Sequence, residues 1–254
     1  YLEVGRPLVD HEGEPLADAL HDAFSQSTGR AEFLERLQKT QGVYIPELTT
    51  PVYEGDAIRG FEGERPGISV VDPFEDPGHS VILTNRTVFS DMFLAEIARG
   101  CPYRCKFCTA REIYSPFRPV EVSNLKGVFE KARHSGKKLG LVSTSLNNHP
   151  QLSAILSEID SMGLRIAPPS LRLGMISDDL LHYLRESRVG GVTLAPETGS
   201  DSLRFSLGKV VSNEAILEDV TSLVKSGIRD VKLYFMVGVP GEEIGDIDAV
   251  IDLV

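Results

Sequence analysis

The chain has 254 residues, 41% of them hydrophobic and 25% charged, with a formal net charge of −11 and a pI near 5.1. That balance is typical of a globular domain, or of one domain with an appendage, and its acidity argues against a protein that wraps duplex nucleic acid. No apolar run reaches the ~18 residues that a membrane span requires.

The N-terminus, "YLEVGRPLVDHEGE", is polar and acidic rather than a signal peptide. It lacks an initiating Met, and the chain stops in mid-pattern at "DIDAVIDLV", so a piece of a longer protein is expected. Residues 14–24 and 30–40 carry apolar residues at helical spacing and read as two short helices. From 44 to 90 the composition turns rich in Pro and Gly without a sustained period, which predicts an extended linker with room for a hairpin. The sequon Asn85-Arg86-Thr87 is read as chance in a chain that is not secreted.

Beyond residue 90, short apolar runs at 92–98, 138–143, 164–167, 191–195 and 230–238 alternate with amphipathic stretches. The stretches carry start and stop signals: Ser177 and Ser212 as N-caps, Pro150 in a first turn, and Gly136, Gly163 and Gly227 as stops. Strand and helix alternate about every 25 to 30 residues, as parallel βαβ units require. The predicted fold is an α/β, partial parallel (β/α)6-type barrel, truncated after about five units, behind an N-terminal helical and linker segment. Chemistry in such folds sits on the loops at the C-terminal ends of the strands.

All three cysteines, Cys101, Cys105 and Cys108, lie in "ARGCPYRCKFCTAREIY", just after the first predicted strand. An odd number on so short a loop does not make a disulfide framework, and soft thiolates in a reducing cytoplasm point to zinc or an iron–sulfur cluster. A structural zinc needs a fourth ligand, for which His134 and His149 are the nearby candidates. A cluster on three cysteines instead leaves one iron open to a substrate or cofactor. The cations Arg104 and Lys106 balance the charge of such a cluster or simply face solvent.

"EIARGCPYRCKFC", with Phe107 before the third cysteine, resembles the cluster loop of the radical S-adenosylmethionine (radical SAM) superfamily, and "LAPETGSDSLRFSLGK" resembles the E-x-G-S stretch of its cobalamin-linked and methylthiotransferase-like branches. The resemblance implies a [4Fe–4S] cluster on Cys101, Cys105 and Cys108. Its open iron binds S-adenosylmethionine, whose reductive cleavage yields a 5′-deoxyadenosyl radical that abstracts hydrogen from substrate. It implies further contacts in chain order. Ser143, Thr144 and Ser145 stand where the family's Gly-Gly-Glu meets the cofactor's amino group. Ser170 and Arg172 reach its carboxylate or ribose. Glu197 of "PETGS" meets the ribose hydroxyls, and Gly238 and Gly241 border the adenine.

Taken singly, these residues have plainer readings. Ser143–Ser145 end a strand, Arg172 makes a surface ion pair, Glu197 is an acid at a helix start, and Phe235 and Met236 are core. The resemblance also implies an electron donor of flavodoxin or ferredoxin type. It divides the chain into the helical tail of a cobalamin-binding-like domain (1–43), a linker (44–90) and the core (91–254), whose sixth strand falls beyond Val254. "DHEGE" at 10–14 has the wrong spacing for the cobalamin-ligating D-x-H-x-x-G, so cobalamin is not supported. An RNA-modifying methylthiotransferase is the second enzyme reading, opposed by the acidic charge. A zinc-stabilised binding module without catalysis is the alternative of another class.

Overall fold

A computed structural model of the chain describes residues 8–9, 16–63, 70 and 77–254, with Leu8, Val9 and Glu112 described by backbone alone. The chain forms two compact units, Tyr1–Asp72 and Pro73–Val254. The stretch 10–14 lies outside the described residues.

In the first unit, helices α1 (Leu16–Ser25) and α2 (Arg30–Gln38) match the two expected from periodicity. The strand β1 (Leu8–Val9) pairs antiparallel with β2 (Val43–Tyr44), and β3 (Thr49–Glu54) pairs antiparallel with β4 (Ala57–Gly63). This hairpin occupies part of the Pro/Gly-rich segment. Leu16, Ala23, Leu34, Leu37, Val43 and Ile45 form a small core.

The second unit is an arc of parallel strands wound with helices. Strand β5 (Met92–Glu96) leads through the short β6 (Ala98–Arg99), α3 (Ala110–Ile113) and β7 (Arg118–Pro119) to α4 (Val122–Ser135). Next come β8 (Lys138–Val142), α5 (Leu152–Ser161), β9 (Ile166–Ala167) and α6 (Asp178–Glu186). Strand β10 (Gly191–Glu197), α7 (Asp201–Ser206), α8 (Asn213–Lys225), β11 (Asp230–Phe235) and α9 (Ile244–Leu253) complete it.

Strands β5, β8 and β9 pair parallel in that order, as do β10 and β11. One parallel bridge, Leu171 to Leu194, links the two groups, so the sheet is an open arc, as the expected partial barrel requires. Its core draws Phe93, Ala95, Leu139, Leu141 and Leu194 from strands. Leu125, Phe129, Ile155, Leu156, Leu180, Leu184, Ile216 and Leu223 come from helices. Burying each of the Leu, Ile and Phe side chains contributes about 1.5–3 kcal/mol. In contrast, α9 has no buried residue.

The punctuation read from sequence is realised locally. The hydroxyls of Ser177 and Ser212 accept from the N–H groups of Leu180 and Ala215, which would otherwise lack partners in the first helical turn. Gly136, Gly163 and Gly227 take positive φ at helix ends. Sequence reading missed α3, the β6–β7 ladder and α7, which are too short for a periodic signal.

Candidate functional site

The cysteine loop is an excursion closed at its base. Ala98 and Arg99 pair antiparallel with Pro119 and Arg118, so residues 100–117 leave and return at one place, at the C-terminal tip of β5. Gly100 (φ 82°) begins the loop against backbone. A Cβ there would lie 2.2 Å from the Tyr114 carbonyl oxygen and 2.5 Å from that of Pro116.

The far side of the loop rests on the segment after α7. The Lys106 N–H donates to the Leu207 carbonyl (2.8 Å), and the Cys105 thiol lies 3.9 Å from the Gly208 carbonyl oxygen. Gly208 (φ 80°) must be glycine for this approach, because a Cβ would sit 2.8 Å from the Arg104 carbonyl oxygen.

Cys105 is buried, while Cys101 and Cys108 are half-buried, and none is in a disulfide. Burial pushes the Cys101 thiol up, and the two other cysteines add to that shift. The Arg172 guanidinium and the Tyr103 N–H act in the opposite direction. Among the described residues no three Cys, His, Asp or Glu side chains converge as a ready metal cage.

Neither histidine that could serve as a fourth ligand faces this loop as one. His149 is buried, with Nε2 bonded to the Val120 carbonyl (3.0 Å) and Nδ1 accepting from the Gln151 N–H (3.1 Å). His134 sits in the last turn of α4, which leads into the opposite, N-terminal end of β8, and its Nδ1 contacts the Glu130 carbonyl. The donor set thus fits a centre held by three thiolates better than a closed four-ligand zinc.

The tips of the other strands carry the remaining candidates. After β8, the Thr144 hydroxyl donates to the Gly100 carbonyl, and Ser143 Oγ accepts from the Ser145 N–H. Ser145 is buried and donates to Asn148 Oδ1 (2.6 Å). All three hydroxyls thus bond the protein's own frame, Ser143 as an acceptor and the other two as donors.

After β9, Arg172 lies with its guanidinium carbon 3.2 Å from the Tyr103 ring centroid, which joins this tip to the cysteine loop. Asn148 donates to the Tyr103 hydroxyl (2.9 Å), and Asn147 brackets the backbone of Arg172 and Met175. Asp219 of α8 accepts from the Gly174 N–H and anchors the same loop; burial raises its pKa.

At the tip of β10, Glu197 is a non-glycine residue at φ 73°, where the ladder with β11 shifts register. Strained backbone of this kind persists only where its surroundings enforce it, and it concentrates at functional sites. Lys209 supplies part of that enforcement: its Nζ donates to Glu197 Oε1 (2.7 Å) and to the Ala195 carbonyl.

Beneath them, fully buried Arg204 donates to the carbonyls of Pro196, Thr198 and Val211 and to the side chains of Asp201 and Asn213. At β11, Gly238 has φ 84° with open space where a Cβ would stand, and its N–H donates to Glu242. Gly241 (φ 84°) is equally open, and Phe107 is exposed.

The structure therefore gathers Arg172 onto the cysteine loop, and ties Glu197 to it through the Leu207–Lys209 segment. Tyr103, Asn147, Asn148, Arg204 and Lys209 escaped sequence reading. Lys209 closes the stretch "LAPETGSDSLRFSLGK", but nothing in its spacing announces the return to Glu197.

A wound parallel arc with a thiol-bearing loop at the tip of its first strand is the scaffold of a strand-tip metalloenzyme. The profile of the radical SAM superfamily matches residues 95–254, and the chain belongs to that superfamily. With the family come its two cofactors, a [4Fe–4S] cluster and S-adenosylmethionine. The chain is also 37% identical over 167 residues to the uncharacterized protein MJ0966 of Methanocaldococcus jannaschii. That match covers 65% of this chain and 37% of the relative.

Among solved structures, the radical S-adenosylmethionine methyltransferase TsrM of Kitasatospora setae, bound to tryptophan and a SAM analogue, superposes with a TM-score of 0.66 at 16% identity. It covers 98% of this chain and 49% of that one. OxsB, a cobalamin-dependent S-adenosylmethionine radical enzyme, superposes with a TM-score of 0.63 at 14% identity, over 97% and 35% of the two chains. At such identities the likeness is one of fold. The chain spans about a third to a half of the length of these proteins.

Proposed function

We propose that residues 91–254 act as a radical SAM catalytic core in which Cys101, Cys105 and Cys108 hold the cluster and S-adenosylmethionine lies across the strand tips. The carrying observation is the clamped three-thiol loop, with both candidate fourth ligands engaged elsewhere. When bound, the cluster supplies the electron that cleaves the cofactor and so provides a carbon radical for hydrogen abstraction.

This chain's own residues orient and hold. Arg172, stacked on Tyr103 beside Cys101, offers a cation to the cofactor's carboxylate. Lys209 donates to one oxygen of Glu197 and steers it, leaving the other to accept from the ribose hydroxyls. Ser143 at the β8 tip serves the amino group, with Thr144 and Ser145 fixing its backbone, and the open turn at Gly238 lets the adenine approach. Phe107 is the exposed aromatic beside the third thiolate.

Residues 1–43 and 44–90 are assigned as the tail of a preceding domain and its linker, and three free thiols suit a reducing cytoplasm. The substrate is a matter for the rest of the protein.

The test is anaerobic reconstitution with iron and sulfide, then EPR of the reduced protein with and without S-adenosylmethionine. A [4Fe–4S]⁺ signal that changes on adding the cofactor is expected. One tightly bound zinc and no cluster would overturn the reading.

A further inference from the structure

At the end of β10 the backbone leaves the regular ladder. Pairing with β11 shifts register between Leu194 and Glu197, and the carbonyls of this stretch need other donors. The carbonyl of Ala195 accepts from Lys209 Nζ, and that of Pro196 from Arg204 Nε (2.9 Å). The carbonyl of Glu197 accepts from the Met236 N–H (2.8 Å), that of Thr198 from Arg204 Nη2, and that of Gly199 from Asn213 Nδ2 (2.8 Å). Every carbonyl from residue 195 to 199 is thus held, and Arg204 holds the two that flank Glu197.

Glu197 stands at φ 73°. Its φ and ψ are fixed by the peptide planes before and after it. The incoming plane carries the Pro196 carbonyl and is held by Arg204; the outgoing plane carries the Glu197 carbonyl and is held by Met236. A left-handed conformation is unfavourable for a residue with a side chain, and it persists only where the surroundings enforce it. Arg204 is itself costly to keep. Its side chain is 0% exposed, whereas its carboxylate partner Asp201 is 42% exposed. Apolar residues of similar volume often serve stability as well as a buried ion pair does. A strained carboxylate and a buried cation that enforces the strain therefore point to a demand of the site.

Resting on the reading of Glu197 as the ribose contact, we propose that Arg204 is a positioning residue that determines specificity. It holds the Glu197 backbone in the left-handed conformation, Lys209 steers the carboxylate, and together they set how strongly the site distinguishes an intact ribose from a deoxyribose.

The experiment titrates the reconstituted full chain with S-adenosylmethionine and with its 2′-deoxy and 3′-deoxy analogues. It reads the ratio of dissociation constants, analogue over S-adenosylmethionine, alongside iron content. Wild type should prefer the intact ribose by about tenfold or more over the analogue that lacks the contacted hydroxyl, because a hydrogen bond to a charged group is lost. E197A should bring that ratio near one with its iron unchanged. R204K keeps the charge but replaces the fork that spans two carbonyls, and its ratio should also fall toward one. Added to E197A, R204K should change the ratio no further, since both act through the same carboxylate. D201A/N213A leaves Arg204 in place but removes both of its side-chain partners, and its ratio should lie in between.

A merely structural Arg204 would lower the affinity for all three ligands alike. Wild-type ratios in R204K and in D201A/N213A, beside a lost preference in E197A, would overturn the positioning role and leave the ribose contact standing. Should R204K take up no cluster, the ratio in D201A/N213A decides. A wild-type preference retained by E197A removes Glu197 from the ribose, and the role of Arg204 falls with it.

Discussion

Lys209 Nζ lies 2.7 Å from Glu197 Oε1, and the two side chains are only 10% and 13% exposed. Between them they join the tip of β10 to the segment on which the cysteine loop rests. A buried pair of this kind is costly to break one-sidedly, because the partner left behind keeps an uncompensated charge. K209M should therefore destabilise the chain by about 3–5 kcal/mol, measured by chemical denaturation. The double variant K209M/E197Q should recover much of that loss. Equal destabilisation by single and double variants would show that the pair is not energetically coupled.

The same carboxylate carries a separate prediction on binding. E197A should weaken S-adenosylmethionine binding in a titration while leaving the iron content of the reconstituted protein unchanged. Unaltered affinity would remove Glu197 from the cofactor site.

Each cysteine is expected to be indispensable. Replacing Cys101, Cys105 or Cys108 with Ala leaves two thiolates on the loop, too few to hold a cubane, so iron incorporation should be abolished in all three variants. A full four-iron complement in any one of them would contradict the assignment.

Gly208→Ala tests the packing under the loop. The new methyl would meet the Arg104 carbonyl oxygen at 2.8 Å, on a backbone at φ 80°. A cost of about 1–3 kcal/mol is expected from the backbone conformation alone, with reduced iron uptake as the loop is displaced. Wild-type stability together with wild-type iron content would mean the loop does not depend on this contact.

His149 sets a pH dependence. Burial holds its pKa below the ordinary value of about 6.5, against the opposing pull of the backbone carbonyls of Val120 and Ile97. Above that ordinary value the residue is neutral in both folded and unfolded chains, and its contribution is whole. As pH falls below about 6.5 the unfolded chain takes up the proton first, so stability is lost progressively down to the folded pKa. Denaturation midpoints measured between pH 7.5 and 5 should show this decline, and H149Q should flatten it. An identical slope in the variant would assign the acid sensitivity elsewhere.

Much of the core was legible because its signals are local. The hydroxyls of Ser177 and Ser212 cap the helices they precede, Gly136 ends α4, and the apolar runs at 92–98 and 230–238 become β5 and β11. Each depends on residues within a few positions, where backbone sterics and side-chain period act. The thiol spacing belongs to the same class, since a single loop supplies all three sulfurs.

What the chain order could not express are contacts between distant residues whose chemistry has no period. Arg172 meets Tyr103, and Lys209 returns to Glu197. Arg204 ties five partners together from a fully buried position, and no alternation of apolar and polar residues predicts that. His149 shows the limit most plainly. By sequence it was one of two candidate fourth ligands for a metal, and only the tertiary structure decided that both its nitrogens serve the backbone. By itself, then, the sequence determined the alternation of the main strands and helices and the placing of all three thiols on one loop, because propensity, capping and spacing are properties of short segments. The tertiary structure alone decided which charges are paired and which donors remain available, because those depend on what the folded chain brings within hydrogen-bond reach.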